Sequence, residues 1–134
     1  MAIQFSPDVR NARLQAIETT VGTAPKLQIR SGAQPATTAT ADSGTLLAEL
    51  TLPSDWMGAP SAGAMAKAGT WSGVGVAAGN AGHYRIKNSA GSTTHEQGSI
   101  TATGGGGDLT LDNVSIAIDQ VITINTFTKT EQGA

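Results

Sequence analysis

The N-terminal part of the chain has the pattern of an amphipathic helix. Residues 6–20 read SPDVRNARLQAIETT, and their apolar positions recur with the helical period of about 3.6 residues. Ser6 is a favourable N-cap, and Pro7 suits the first helical position because its missing N–H is not needed there. Asp8 adds a negative charge near the free N–H groups of the first turn. The sequence therefore predicts one helix over residues 6–20, ended at Gly22.

The predicted helix has one polar side and a broad apolar side. At about 100° per residue, the polar side comprises Asp8, Asn11, Gln15 and Glu18. The apolar side carries the larger aliphatic residues. We expect the helix to pack on the rest of the domain, or on a neighbouring subunit, through Leu14, Ile17 and Val21.

Beyond the helix the apolar pattern changes to a period of two, with turn residues at short intervals, which predicts many short strands. Residues 26–31 and 45–52 both alternate in this way. Their inward-facing side chains are Leu27, Ile29, Leu46, Ala48, Leu50 and Leu52. The polar stretch between them, residues 32–44, predicts a loop.

Residues 82–103 predict a β-hairpin that turns at residues 88–92. Tyr84 and Ile86 face one side of this hairpin. The other side is polar and comprises His83, Arg85, Lys87, Thr93, His95 and Gln97. We expect the two histidines to be surface residues, because a zinc site usually needs about three or four protein ligands and the remaining ones are missing.

Four consecutive glycines, residues 104–107, precede the last predicted strands. A phosphate-binding loop would need a Gly-Lys-Ser/Thr ending and a helix after it, whereas here Asp108 and an alternating apolar segment follow. The glycines are therefore predicted to connect two strands. Residues 108–130 favour two or three strands, with turn signals at residues 112–113 and 119–120.

Together these elements predict a mainly β protein, a single antiparallel β-sandwich or barrel-like domain with one N-terminal α-helix. Residues 1–22 form an N-terminal arm and helix, and residues 23–134 form the β-rich domain. The length of 134 residues suits one domain. Aromatic residues make up only 4% of the chain, so we expect a thin core that gains stability from contacts with neighbouring molecules.

The composition excludes several kinds of partner. The formal net charge is -2 and only 13% of the residues are charged, so no basic surface for nucleic acid is expected. The absence of cysteine excludes disulfides and thiolate metal ligands. No segment approaches the roughly 18 apolar residues of a membrane span, so no membrane contact is expected.

No catalytic, cofactor-binding or metal-binding residue is assigned from the sequence. The acidic residues are dispersed over loops and strand ends, which disfavours the paired carboxylates of a glycoside hydrolase. Asp108, Asp112 and Asp119 lack the spacing of an EF-hand calcium loop, and turn stabilisation is the preferred interpretation. We therefore expect a protein that is not an enzyme and needs no cofactor.

Six residues are candidates for a partner interface: Ile3, Phe5, Leu14, Ile17, Trp56 and Met57. The first two precede the helix and would be exposed without a partner, although Phe5 has the alternative of packing on its own helix at Val9 or Arg10. Trp56 and Met57 follow a Pro-Ser-Asp turn at the end of a predicted strand. A tryptophan there is a binding anchor or a core residue, and both roles hold if the core continues into a contact between subunits.

The chain resembles a group of small proteins encoded among the virion genes of tailed bacteriophages and prophages. Four stretches carry the resemblance: MAIQFSPDVRNARLQAIETT, LLAELTLPSDWM, AGHYRI and GGGGDLTLDNVSIAIDQVITINTFT. The resemblance spans nearly the whole chain and implies a structural protein of the virion, assembled in the cytoplasm of the bacterial host. Small β-rich proteins of that kind commonly serve as capsid decoration proteins, as head or neck accessories, or as fibre and tail components.

The expected form is a homotrimer that binds the major capsid protein or another virion protein. Such a protein stabilises the shell by mass action, because it binds the assembled lattice and not the separated subunits. The alternative is a tail, fibre or head–tail accessory protein, with a surface that binds a host glycan. An enzyme is the third and least favoured class.

Overall fold

The computed structural model describes residues 3–133, and within them the chain forms one helix, α1 (Pro7–Val21). Ser6 is the N-cap, and its hydroxyl accepts a hydrogen bond from the Val9 N–H at 3.3 Å. Gly22 follows the last helical residue with a positive φ of 91°, which glycine adopts without strain. The predicted helix is confirmed, and its limits are shifted by one residue.

Ten short strands account for the regular structure after the helix in the described part of the chain. They are β1 (Lys26–Ser31), β2 (Leu46–Thr51), β3 (Ala64–Ala66), β4 (Trp71–Val74), β5 (Gly79–Lys87), β6 (Thr94–Ala102), β7 (Leu109–Leu111), β8 (Ser115–Ile116), β9 (Val121–Ile124) and β10 (Thr128–Thr130). The strands predicted at residues 26–31 and 45–52 and the hairpin β5–β6 are confirmed. In β2, Leu47 is fully buried instead of the predicted Leu46, because the register of β1 and β2 shifts at this point.

The main sheet is curled into a half-barrel. Its strands lie in the order β2-β1-β5-β6-β7, and β8 pairs with the start of β5. Two further pairs, β4 with β9 and β3 with β10, complete the structure. An antiparallel bridge between Ala48 and Gly75 links β2 to the residues that follow β4. The expected class, a mainly β domain with one N-terminal helix, is confirmed.

One strand pair departs from the antiparallel pattern. Strands β6 and β7 run parallel, and the four glycines lie in the short connection between them, residues 103–108. Gly104 and Gly106 have φ values of +88° and +83°. A Cβ on Gly107 would lie 2.8 Å from the Thr101 nitrogen. The connection is far shorter than the dozen or so residues usual between parallel strands, and glycine permits it.

Four aromatic side chains form the centre of the core. The ring centroids of Trp56 and Trp71 are 6.0 Å apart, and that of Phe127 lies 5.4 Å from Trp71 and 5.8 Å from Tyr84. Both tryptophans are fully buried, and each indole N–H donates to a backbone carbonyl at 3.0 Å. These rings therefore join segments that are distant in the sequence.

Helix α1 packs on this core through its aliphatic residues. Leu14 and Val21 are buried, and Ile17 is partly buried against the same cluster, as the apolar pattern predicts. Within residues 3–133, no helix has the length and apolar content that crossing a bilayer requires.

The polar side of α1 is also engaged, which differs from the expected arrangement. Asn11 Oδ1 accepts a hydrogen bond from the Gly63 N–H at 2.9 Å, and Glu18 Oε2 accepts one from the Met57 N–H at 2.8 Å. Ala12, on the apolar side, is exposed. The division into an inner apolar and an outer polar side is therefore wrong in part, because backbone N–H groups within residues 57–63 donate hydrogen bonds to polar side chains of the helix.

Candidate functional site

The main sheet has a polar face on the side opposite the aromatic core, as the alternation of side chains along its strands requires. Glu49, Gln28, Arg85 and Gln97 form one row of this face, because each is the register partner of the next across β2, β1, β5 and β6. Gln28 Nε2 donates to Glu49 Oε2 at 2.8 Å. Arg85 is only 1% exposed, so part of this polar face is buried.

Residues 32–44, which we call the covering loop, lie over the polar face. Arg85 Nη2 donates to the carbonyl oxygens of Thr37 and Thr38 at 3.1 and 3.0 Å. Gln97 Nε2 donates to the carbonyl of Pro35 at 2.7 Å. A loop cannot pair its carbonyls within a strand ladder, so these side chains of the sheet supply the donors.

Asp42 is the charged anchor of the covering loop. Its carboxylate accepts hydrogen bonds from Arg85 Nη1 and Lys87 Nζ, both at 2.6 Å, and from Arg30 Nη2 at 3.2 Å. Burial raises the pKa of Asp42, but the hydrogen bonds from Lys87 and Arg85 and the charges of Arg30 and Lys87 outweigh it, and the pKa falls to about 2. Three cations thus converge on one ionised carboxylate.

A cleft of about 410 Å³ opens between the covering loop and the turn that joins β5 to β6. Arg85, Lys87 and Asp42 supply its charged lining. Five hydroxyl side chains also line it: Thr38, Thr40, Ser92, Thr93 and Thr94. A cleft of this size is in the range of small-ligand sites, which run from about 300 to 1,000 Å³.

Three buried polar atoms on the same face have no hydrogen-bond partner among residues 3–133: His83 Nε2, Arg85 Nε and Gln97 Oε1. Buried polar atoms are paired in about 90% or more of cases in proteins. The polar face therefore retains hydrogen-bonding capacity that the described residues do not use.

The expectation of two surface histidines on one hairpin face is correct for the exposure of His95 and wrong for His83. His83 is fully buried, and its Nδ1 lies 2.9 Å from the Gly32 carbonyl, because the covering loop lies over it. His95 is exposed and lies near residues of α1. A register shift between Ile86 and Lys87 in the β5–β6 ladder inserts an extra residue on the β6 side and breaks the alternation that the prediction assumed.

A second, partly buried polar cluster connects β5, β6 and β10. Tyr84 Oη donates to Glu96 Oε2 at 2.7 Å, and Lys129 forms an ion pair with the same carboxylate. Burial, and then the charge of Glu96, raises the pKa of the Tyr84 phenol well above its ordinary value. The phenol is therefore a fixed hydrogen-bond donor, and the cluster holds β10 against the main sheet.

Four aliphatic residues form an exposed group, which we call the aliphatic patch: Val74, Val76, Ile118 and Val121, exposed by 48%, 55%, 62% and 70%. The four residues are neighbours, because two backbone hydrogen bonds join residues 74–76 to residues 118–121. The Gly75 N–H donates to the Gln120 carbonyl and the Asp119 N–H donates to the Gly75 carbonyl, both at 2.8 Å. Val74 and Val121 are register partners in β4 and β9. Among the described strands β9 pairs with β4 alone, so it is an edge strand.

The structure divides the six predicted interface residues into two groups. Leu14, Trp56 and Met57 are at most 1% exposed and belong to the core, so they offer no free surface to a partner. Of the two roles open to Trp56, the structure shows the core role. Ile17 is partly buried, whereas Ile3 is 76% and Phe5 39% exposed.

The arm that carries Ile3 and Phe5 contacts the C-terminal segment. The Phe5 N–H donates to the Gly133 carbonyl at 2.6 Å. The Arg13 guanidinium lies 5.0 Å from the centre of the Phe5 ring and forms an ion pair with Glu131 at 3.0 Å. Phe5 therefore packs partly on its own helix, at Arg13 instead of the expected Val9 or Arg10.

The aromatic residues offer little surface for stacking on a sugar ring. Trp56, Trp71, Tyr84 and Phe127 are between 0% and 5% exposed, and Phe5 is the remaining aromatic of the chain. Among residues 3–133, no group of three or more histidine and acidic side chains is arranged to hold a metal ion.

Comparisons of the chain with protein-family models, with curated proteins and with solved structures give no match.

The sequence predicts the covering loop only in part. Its Asp, Pro and Thr residues indicate a loop, but no local signal shows that Asp42 meets basic residues of β1 and β5.

Proposed function

We propose that this chain is a non-enzymatic structural protein of a tailed-phage virion, a capsid decoration protein that binds and stabilises the assembled shell. The resemblance of the sequence to small virion proteins supports the virion setting. The observation that carries the assembly role is the presence of two separate exposed apolar surfaces, the N-terminal arm and the aliphatic patch.

The arm is the proposed contact with the shell. Ile3 is a large aliphatic residue that is 76% exposed. In the described residues 3–5, one backbone hydrogen bond joins the arm to the rest of the chain, from the Phe5 N–H to the Gly133 carbonyl. An extended arm of this type can bind the edge of a neighbouring sheet, with backbone hydrogen bonds for affinity and alternate side chains for specificity.

The aliphatic patch is the proposed contact between copies of this chain. Edge strands with exposed apolar side chains pair readily with other chains unless something covers them. The patch lies at the edge strand β9 and shares no residue with the arm, so the two proposed contacts use different side chains. Closed symmetry, as in a trimer, would cover the patch of every copy.

The oligomer is tested by sedimentation of the purified protein. The wild type is expected to sediment as a closed oligomer, and Val121→Lys is expected to shift it towards the monomer, because the ammonium group cannot be buried in an apolar contact. Val9→Lys is the matched control, since Val9 is also an exposed valine, at 42%, but lies on α1. A monomeric wild type, or equal effects of both variants, would contradict the contact.

The virion role is tested by protein analysis and electron microscopy of particles from the host strain. The protein is expected on the shell, in a copy number that follows the capsid lattice. Particles that carry Ile3→Ser are expected to lose the protein on heating earlier than wild-type particles. Detection on tails or fibres alone, or absence from particles, would overturn the capsid assignment.

A further inference from the structure

The polar face and the cleft beside it are positively charged, although the chain as a whole is negative. Half of the eight basic residues of the chain lie on this face: Lys26, Arg30, Arg85 and Lys87. Only two of its ten acidic residues, Asp42 and Glu49, lie with them. The net charge of the chain is -2, so the rest of the molecule is strongly acidic and an anion is attracted to this face.

Lys87 has hydrogen-bonding capacity left for a ligand. Its Nζ donates to Asp42 Oδ2 at 2.6 Å, and an ammonium group has three N–H donors. The side chain is 10% exposed and lines the cleft, so its charge acts in surroundings that screen it less than bulk water does.

Arg85 supplies the second cation at the cleft. Its Nη atoms are engaged by Asp42 and by two carbonyls of the covering loop, but Nε is buried and has no partner among residues 3–133. The Arg85 side chain is 1% exposed and also lines the cleft. The cleft therefore combines two buried cations, which share the carboxylate of Asp42, with the hydroxyl groups of the covering loop and of the β5–β6 turn.

We propose that this cleft binds a phosphate group, either as the free ion or as a monoester. A phosphate has several strong acceptor oxygens, which match an ammonium group and a set of hydroxyl donors better than the two oxygens of a carboxylate do. Asp42 holds the cations together in the absence of ligand, and Lys87 is the main contact. The inference does not depend on the virion role.

The test is a titration of the purified full chain with inorganic phosphate, followed by amide chemical shifts at constant ionic strength in a chloride background. Saturable shifts are expected at residues 38–42 and 92–94. Glycerol 3-phosphate, titrated in parallel, distinguishes a monoester from the free ion, and acetate is the carboxylate comparison. The species that binds more tightly, inorganic phosphate or glycerol 3-phosphate, shows whether the cleft prefers the free ion or a monoester.

Two variants locate the site. Lys87→Met is expected to weaken phosphate binding about tenfold or more, since a hydrogen bond to a charged group is lost. Thr93→Val removes an exposed hydroxyl with little effect on folding and is expected to weaken binding about threefold. Lys67→Met is the matched control, because the Lys67 ammonium donates to the Gly69 carbonyl, outside the cleft.

Phosphate-induced shifts that do not saturate would overturn the proposal. It would also be overturned if acetate gave the same shifts and saturated at the same concentration as phosphate. It also fails if Lys67→Met weakens phosphate binding as much as Lys87→Met does. If Lys87→Met does not fold, as judged by the dispersion of its amide resonances, the decision rests on Thr93→Val, and unchanged phosphate affinity in that variant overturns the assignment of the cleft.

Discussion

Arg85 Nη1 lies 2.6 Å from Asp42 Oδ1, although the two residues are 43 positions apart in the sequence. The arginine is 99% buried, while 30% of the aspartate side chain is exposed. The positive charge of the pair, on Arg85, is therefore buried on the sheet, and the negative charge, on Asp42, lies on the covering loop. The pair fixes the loop over the polar face.

Asp42→Asn is expected to destabilise the protein by about 2 kcal/mol. Removal of one partner of a fully buried ion pair costs about 3–5 kcal/mol, and the partial exposure of Asp42 reduces that figure. The free energy of unfolding is measured with urea. Asp55→Asn, at an exposed aspartate in another loop, is the control and is expected to change stability by less than about 0.5 kcal/mol. Equal losses in both variants would show that the Asp42 ion pairs have no specific effect.

The contribution of the Asp42 carboxylate to the free energy of unfolding is expected to depend on pH. Its pKa lies near 2 in the folded protein against an ordinary value of 3.8, so the folded state keeps the carboxylate ionised at a pH where the unfolded chain takes up a proton. The resulting stability is fully present above about pH 4 and is lost as the pH falls towards 2.

The difference in unfolding free energy between the wild type and Asp42→Asn, followed from about pH 7 to about pH 2, measures this dependence. The difference is expected to be constant at neutral pH and to shrink below about pH 4. A difference that stays constant down to about pH 2 would contradict the depressed pKa.

The four-glycine connection is expected to respond differently to alanine and to asparagine. Gly106 has a φ of +83°, and a Cβ added there would meet no atom within 4 Å, so Gly106→Ala is expected to cost about 1 kcal/mol through backbone strain alone. Gly106→Asn is expected to cost less, because asparagine tolerates a positive φ better. Thermal unfolding of both variants is the measurement, and an equal loss of stability would exclude backbone strain as the cause.

A different mechanism acts one position further on. A Cβ at Gly107 would lie 2.8 Å from the Thr101 nitrogen and 2.9 Å from its hydroxyl oxygen. Gly107→Ala is therefore expected to destabilise by about 1–3 kcal/mol through overpacking. Thr101→Ala combined with Gly107→Ala removes the hydroxyl contact but not the backbone one, so the double variant is expected to recover only part of the loss.

The contact of helix α1 with residues 57–63 is tested by Asn11→Ala. The variant leaves the Gly63 N–H without its acceptor and is expected to cost about 1–2 kcal/mol in a urea titration. Gln15→Ala lies on the same side of the helix at an exposed position and is expected to cost less than about 0.5 kcal/mol. Similar values for the two variants would mean that the Asn11 hydrogen bond contributes little.

The elements specified by local chemistry are predicted well from the sequence. Ser6 and Pro7 determine where α1 begins, because capping depends on a few adjacent residues. The turn between β5 and β6 is equally local, since Asn88 Oδ1 accepts from the Ser92 N–H at 2.9 Å. The glycine connection is recognised for the same reason.

The candidate site is not predictable in this way. The alternation in β5 places His83, Arg85 and Lys87 on one side, but a period of two gives no information on whether that side faces water or another part of the chain. The covering loop reaches it through contacts over more than 40 positions, such as that from Arg85 to Asp42. The same limitation left Trp56 with two roles, because burial at a turn depends on distant partners, among them Trp71.

The aromatic cluster gives the protein a spectroscopic signal of its own. Trp56, Trp71, Tyr84 and Phe127 are held in fixed asymmetric surroundings, and the near-ultraviolet circular dichroism of such rings disappears when their packing is lost. None of these rings belongs to the covering loop. A perturbation that releases only the loop will therefore leave this signal intact, whereas unfolding of the half-barrel will abolish it, so the two events can be distinguished without any added label.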